Sequence, residues 1–178
     1  MLAFSITDPG DGILVPRPIY GRFELDFGNE ARAKIVYAEM GDVDAFLDEE
    51  GLVRKFEEAL KRAKDEGVGI RAVLIANPSN PLGRCYKKGV LRGIMRFCGV
   101  RGLHLISDEV FGLTVFETGD NDVIPFTSVL AINAEGLIGK EFVHVLYGMS
   151  KDFGAAGLRL GCLVTRSEAV MGACRAVM

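Results

Sequence analysis

The sequence has no excess of basic charge, no long apolar run and no clustered cysteines, and each absence removes a class of function. A formal net charge of −3 over 178 residues argues against a nucleic-acid surface, which would need a basic patch, so no nucleic-acid partner is expected. No apolar stretch approaches the ~20 residues that cross a bilayer, so no membrane partner is expected either. The opening Met1-Leu2-Ala3-Phe4-Ser5-Ile6-Thr7-Asp8-Pro9 is apolar, but it lacks a basic flank and turns polar too early for a secretory leader. Cys85, Cys98, Cys162 and Cys174 are scattered, with no Cys-x-x-Cys pair. That argues against a metal site and a disulfide framework, and for reduced thiols in a cytoplasmic protein. The two histidines, His104 and His144, sit in apolar strand-like runs without an acidic or cysteine partner at ligand spacing, so both are expected as packed sheet residues. There is no internal repeat and no low-complexity tract.

What is present is the make-up of one soluble globular domain: 49% apolar and 25% charged residues, in a chain long enough to bury a core. Short apolar runs alternate with amphipathic ones. The turn Asp8–Gly12 leads into a strand over Gly12–Pro16; Tyr20–Phe27 reads as a short helix or irregular passage, and Ala33–Tyr37 as a second strand. Over Leu52–Lys64, residues Leu52, Val53, Phe56, Ala59, Leu60 and Ala63 keep the helical period while Lys and Glu fill the other face. Further helices are expected at Lys87–Cys98, Phe126–Ile132 and from Ser167 onward, with a polar loop at Glu117–Asp122. Strands are expected at Ala72–Ala76, Leu103–Ser107, Phe142–Tyr147 and Leu160–Val164. Continuous apolar strands separated by helices predict an α/β fold, with a mostly parallel sheet covered on both faces. Sheets of this kind gather ligands at the carboxyl ends of their strands.

Three of these strands end in polar sequence. One exits into Asn77-Pro78-Ser79-Asn80-Pro81-Leu82-Gly83, the next into Asp108-Glu109-Val110-Phe111, and the third into Gly148-Met149-Ser150-Lys151-Asp152-Phe153-Gly154, followed by Gly157 and Arg159. Singly, each has an ordinary explanation. The Asn/Pro stretch suits a rigid turn, Asp108 suits a helix cap, and Ser150-Lys151-Asp152 suits a solvated loop. Together they place an amide, a carboxylate, a lysine and an arginine at one sheet edge. Pyridoxal phosphate chemistry calls for that set. A lysine forms an imine with the aldehyde and moves protons at the substrate α-carbon. A carboxylate keeps the ring nitrogen protonated so that the ring can act as an electron sink. A neutral donor serves the ring hydroxyl, and a guanidinium fork suits the phosphate.

These motifs, with Gly157-Leu158-Arg159-Leu160-Gly161, resemble those of the class I/II aminotransferases of the aspartate aminotransferase fold. Within that family the chain is most similar to the 1-aminocyclopropane-1-carboxylate synthase-like branch, which Asp8-Pro9-Gly10-Asp11 and Leu14-Val15-Pro16-Arg17-Pro18 also fit. The resemblance runs over essentially the whole chain. It implies a three-layer αβα large domain and pyridoxal 5'-phosphate as cofactor. It makes Lys151 the imine-forming lysine, Asp108 the partner of the ring nitrogen, Asn80 the donor to the ring oxygen and Arg159 the phosphate ligand. Ser150 is implied as a helper at the phosphate and Tyr20 as the aromatic stacked on the ring, with a plain core tyrosine as the alternative for Tyr20. The implied substrates are α-amino acids: transamination with a 2-oxo acid, α,γ-elimination on S-adenosylmethionine, or carbon–sulfur lysis.

Two positions depart from the family pattern: Phe111 stands where tyrosine is common and Gly148 where serine is common. Two lost hydrogen bonds to a charged cofactor are worth about 1.5–3 kcal/mol each if nothing replaces them. The family also has an N-terminal segment with a glycine-rich phosphate loop, and a C-terminal small domain that grips the substrate carboxylate. Neither is found in residues 1–178, so a partial large domain is expected, its sheet incomplete at both ends. Full-length relatives are homodimers, and exposed apolar surface and self-association are expected. A non-catalytic relic that binds the cofactor weakly or pairs with a full-length homologue is the alternative.

Overall fold

A computed structural model describes residues 1–117, 119–120 and 122–176 of the chain. Its centre is a six-stranded sheet of β1 (Gly12–Arg17), β2 (Lys34–Glu39), β3 (Ile70–Ala76), β4 (His104–Asp108), β5 (Val143–Gly148) and β6 (Gly161–Thr165). The spatial order is β2-β1-β3-β4-β5-β6. The first five strands are parallel and β6 alone runs antiparallel, against β5.

Side-chain alternation along the central strands builds two cores. Leu14, Val73, Ile75, Leu105 and Val145 face one side, where they meet α3 (Glu49–Asp65) and α4 (Lys88–Arg101). Ile13, Val15, Ala72, Leu74 and Ile106 face the other, under α1 (Leu2–Ile6), α2 (Phe23–Ala31) and α6 (Glu168–Ala176). This is the expected three-layer αβα arrangement, and period-two alternation inside apolar strands is what fills both layers.

Helix α3 shows how directly sequence writes an element. Asp48 caps it by accepting from the Gly51 amide at 2.9 Å, with Glu49 and Glu50 in the first turn and Arg62 and Lys64 in the last. Those charges suit the helix dipole. Leu52, Phe56, Ala59 and Ala63 form its buried stripe.

Several expectations shift. The passage at Tyr20–Phe27 becomes helix only from Phe23, and α2 continues to Ala31. The helix expected at Phe126–Ile132 reduces to one 3-10 turn at Val129–Ala131; buried Glu109 accepts from the Val129 amide at 3.0 Å and draws the segment onto the sheet. The strand at the Leu160–Val164 position is β6, the last strand of the sheet order among the described residues, with Cys162 and Val164 exposed. The apolar start of the chain folds as α1, packed on α2 and α6. The polar loop at Glu117–Asp122 contains Thr118 and Asn121, which lie outside the described residues, as do Val177 and Met178 after α6. The four cysteines are free thiols. Among the described residues no metal-binding cluster occurs, and no helix is long and apolar enough to cross a membrane.

Candidate functional site

Because β3, β4 and β5 are parallel, their carboxyl ends share one edge, and Ala76, Asp108 and Leu146 stand side by side in register. The ladder runs on past the strands: the Asn77 amide donates to the Asp108 carbonyl and the Glu109 amide to the Leu146 carbonyl, each at 2.9 Å. The reversed direction of β6 brings its first residue, Gly161, opposite Gly148. Arg159, two residues earlier, thereby reaches the same edge. The outcome is a cavity of about 800 Å³ lined by Tyr20, Asn80, Asp108, Ser150, Lys151 and Arg159. All six residues singled out from sequence line this one cavity.

Each is held differently. Asn80 sits in a loop whose anchor is the fully buried Asn77. The Asn77 side chain donates to the Thr127 carbonyl at 3.0 Å and accepts from the Tyr86 amide at 3.1 Å. Asp108 does not cap a helix: its Oδ1 accepts from the Val110 amide at 3.2 Å and shapes a turn. Burial pushes its carboxyl up to about 6, helped by the neighbouring Glu109 and Asp26 carboxylates and opposed by the Val110 hydrogen bond and Lys151. Lys151 lies in α5 (Met149–Asp152), with Nζ 5.6 Å from the centre of the Phe111 ring. That is within the range of a cation–π contact. Arg159 is exposed and left-handed, with φ 54°, and its Nη1 donates to the Ala156 carbonyl at 3.0 Å. Tyr20 meets Phe23 edge-on, ring centres 5.3 Å apart, at the cavity wall formed by α2.

Gly148 has a geometric reason. A Cβ there would stand 3.3 Å from the Leu160 carbonyl oxygen, a tight contact that asks the backbone beside Arg159 to give by a few tenths of an ångström. Other residues of the site were not singled out from the sequence. Asp26 lines the cavity from α2, and Tyr147 lines it from the end of β5. The Tyr147 hydroxyl donates to Asp152 Oδ2 at 2.7 Å. A carboxylate directly after Lys151 was the available signal for Asp152. For Asp26 there was none, since nothing in α2 announces which face meets a cavity.

This arrangement can bond a carbonyl through an amine, hold a cationic ring nitrogen against a carboxylate, and grip an anion with a guanidinium. Comparison with known proteins agrees. The family model for aminotransferase class I and II matches residues 1–178. A protein named as probable aminotransferase sirI of Leptosphaeria maculans is 41% identical over 169 residues, covering 94% of this chain and 39% of that protein. The 1-aminocyclopropane-1-carboxylate synthase 7 of Arabidopsis thaliana is 36% identical, over 98% of this chain and 38% of its own length. Among solved structures, an alanine aminotransferase from Pyrococcus furiosus superposes with a TM-score of 0.75 at 25% identity, over 99% of this chain and 41% of that one. A Thermus thermophilus aspartate aminotransferase double mutant gives 0.76 at 21% identity, over 98% and 40%, a likeness of fold. The chain spans about two fifths of the length of these relatives. On the family match over its whole length, the chain belongs to the aminotransferase class I and II family.

Proposed function

We propose that this chain forms the pyridoxal 5'-phosphate-binding core of an enzyme acting on α-amino acids, with Lys151 as the residue that bonds the cofactor. One observation carries the reading: Lys151, Asp108, Asn80 and Arg159 line a single cavity at the strand carboxyl ends. The residues fit the group. Asp108 is a carboxylate pushed up to about 6 by burial, and a cationic ring nitrogen beside it would supply the missing opposite charge and draw it back down. Lys151 offers an amine in the same space. Asn80 supplies a neutral donor for the ring oxygen. Arg159 needs only to exchange its Ala156 carbonyl for phosphate oxygens, with Ser150 lining the same cavity, and its planar fork suits that exchange. Tyr20 forms a wall for a flat ring.

Pyridoxal phosphate, when bound, withdraws the electron pair left when a bond to the substrate α-carbon breaks. The chain's part is to hold the ring in orientation, keep Asp108 at the ring nitrogen, and use the Lys151 amine to take and return the α-proton. The relatives include a probable aminotransferase and a 1-aminocyclopropane-1-carboxylate synthase, and the finer reading for this chain divides accordingly between transamination with a 2-oxo acid and α,γ-elimination on S-adenosylmethionine. Exposed Leu158 and Leu160, flanking Arg159, together with exposed Phe153, support a homodimer in which a second copy covers this apolar surface.

The test is the absorption spectrum of the purified chain with added pyridoxal phosphate, before and after borohydride, beside Lys151→Ala. Expected is a protein-bound band that borohydride fixes at Lys151, with neither band nor fixation in the variant. No band, or an identical one in Lys151→Ala, sinks the reading.

A further inference from the structure

We infer that Asp152 is a positioning residue for Lys151: its carboxylate fastens the short helix carrying the lysine to the turn carrying Phe111, and so sets where the lysine ammonium sits. The inference deepens the proposed function and rests on it for its catalytic meaning, though not for its geometry. Asp152 Oδ2 accepts two hydrogen bonds from separate parts of the chain, one from the Leu113 amide at 2.9 Å and one from the Tyr147 hydroxyl at 2.7 Å. Leu113 belongs to the turn that follows Asp108, and Tyr147 to the end of β5.

Within that turn, Gly112 donates to the Glu109 carbonyl and Thr114 to the Phe111 carbonyl, bonds that shape the turn without placing it. The Glu109 amide holds the start of the turn to β5 through the Leu146 carbonyl, and the bond to Asp152 ties its far end to α5. Two residues before Leu113, the Phe111 ring then lies beneath Lys151 Nζ, 5.6 Å away. Asp152 and Lys151 are neighbours in one four-residue helix, so moving the carboxylate moves the lysine's support and its ring platform together. The Tyr147 phenol is pushed up to about 12, first by its hydrogen bond to Asp152, in keeping with a carboxylate at the other end of that bond. Asp152 Oδ1 is buried and accepts no hydrogen bond among the described residues. An unmatched buried oxygen is costly to folding, and such groups call for an explanation in function.

The test reads Lys151 itself and needs no cofactor. The purified chain is treated briefly with acetic anhydride, and acetylation at Lys151 is compared by peptide mass mapping with that at Lys61, an exposed lysine of α3. Asp152→Ala is expected to raise the Lys151:Lys61 ratio about two- to fivefold, the worth of an exposed cation–π contact. It should also speed hydrogen exchange at the Leu113 amide. Asp152→Asn keeps an oxygen acceptor in place and is expected to restore the wild-type ratio, which a merely stabilising role would not require. An unchanged ratio in folded Asp152→Ala overturns the inference, as does a rise of equal size in Asp152→Asn. Should Asp152→Ala fail to fold, Tyr147→Phe removes one of the two donors and must itself raise the ratio; no rise overturns the inference. If the wild-type chain forms no borohydride-fixed adduct, the proposed function fails while this result stands on its own.

Discussion

His104 Nδ1 lies 2.8 Å from His144 Nε2 on the adjacent strand, and His144 Nδ1 lies 2.8 Å from Thr165 Oγ1 one strand further on. A neutral imidazole can donate at one nitrogen and accept at the other, so one buried side chain links β4, β5 and β6 through a polar seam. Burial, and then the neighbouring His104, push His144 down to about 4; burial also lowers His104.

From this seam a pH dependence follows. The unfolded chain binds a proton at His144 near 6.5 and the folded chain only near 4, so folded stability falls as pH drops through that window. By about pH 5 the loss is on the order of 2 kcal/mol from His144. Urea midpoints at neutral pH and near pH 5 should show it. His144→Gln should start less stable and lose less on acidification. Equal losses in both proteins would refute the assignment to His144.

Asp108 slopes the other way. Its folded value of about 6 lies above the unfolded 3.8, so its ionisation penalises the fold increasingly as pH rises from 3.8 to 6 and fully above that. The penalty is on the order of 2–3 kcal/mol. Asp108→Asn keeps an acceptor for the Val110 amide and should melt higher than wild type at neutral pH, with the advantage fading toward pH 4. Under the proposed function the same variant loses pyridoxal phosphate binding, a trade of function for stability. A lower melting temperature at neutral pH would contradict the account.

Two glycines in helices separate propensity from packing. Glycine to alanine inside a helix ordinarily gains about 0.5–1 kcal/mol. Gly172 in α6 has open space around a would-be Cβ, so Gly172→Ala should stabilise by about that amount. A Cβ at Gly99 in α4 would strike the Leu137 carbonyl oxygen, so Gly99→Ala should destabilise by about 1–3 kcal/mol. Denaturant melts of the two variants should move in opposite directions.

Phe111 supplies a ring face beneath Lys151 but no hydroxyl. Phe111→Tyr keeps the cation–π contact and adds a donor in the proposed cofactor cavity. It should tighten pyridoxal phosphate binding by about three- to tenfold, one ordinary hydrogen bond. Spectroscopic titration of wild type and variant checks this, and weaker binding in the variant would show the hydroxyl has no partner there.

The strands and the long helices were legible because their signals are local. An apolar run such as Ala72–Ala76 is too short and too uniform for a surface helix and suits a sheet covered on both faces. The amphipathic stripe of α3 announced the helix from Leu52, though the helix begins three residues earlier at Glu49, behind its Asp48 cap. The segment at 126–132 was misread because its conformation is set by Glu109, far from it in sequence. Residues at the ends of parallel strands could be predicted to meet, and Lys151, Asp108 and Asn80 do line one cavity.

What sequence by itself determined is thus the layer architecture and the chemical inventory at the strand ends, since periodicity and residue type act over a few residues. What only the tertiary structure decided is which groups touch. The approach of Asp26 to Asp108, the His104–His144 seam and the Asp152 tie to Leu113 each join segments far apart in the chain, and the antiparallel direction of β6 that delivers Arg159 is set by its pairing with β5. Contacts of that kind depend on how whole layers pack, and no local pattern encodes them.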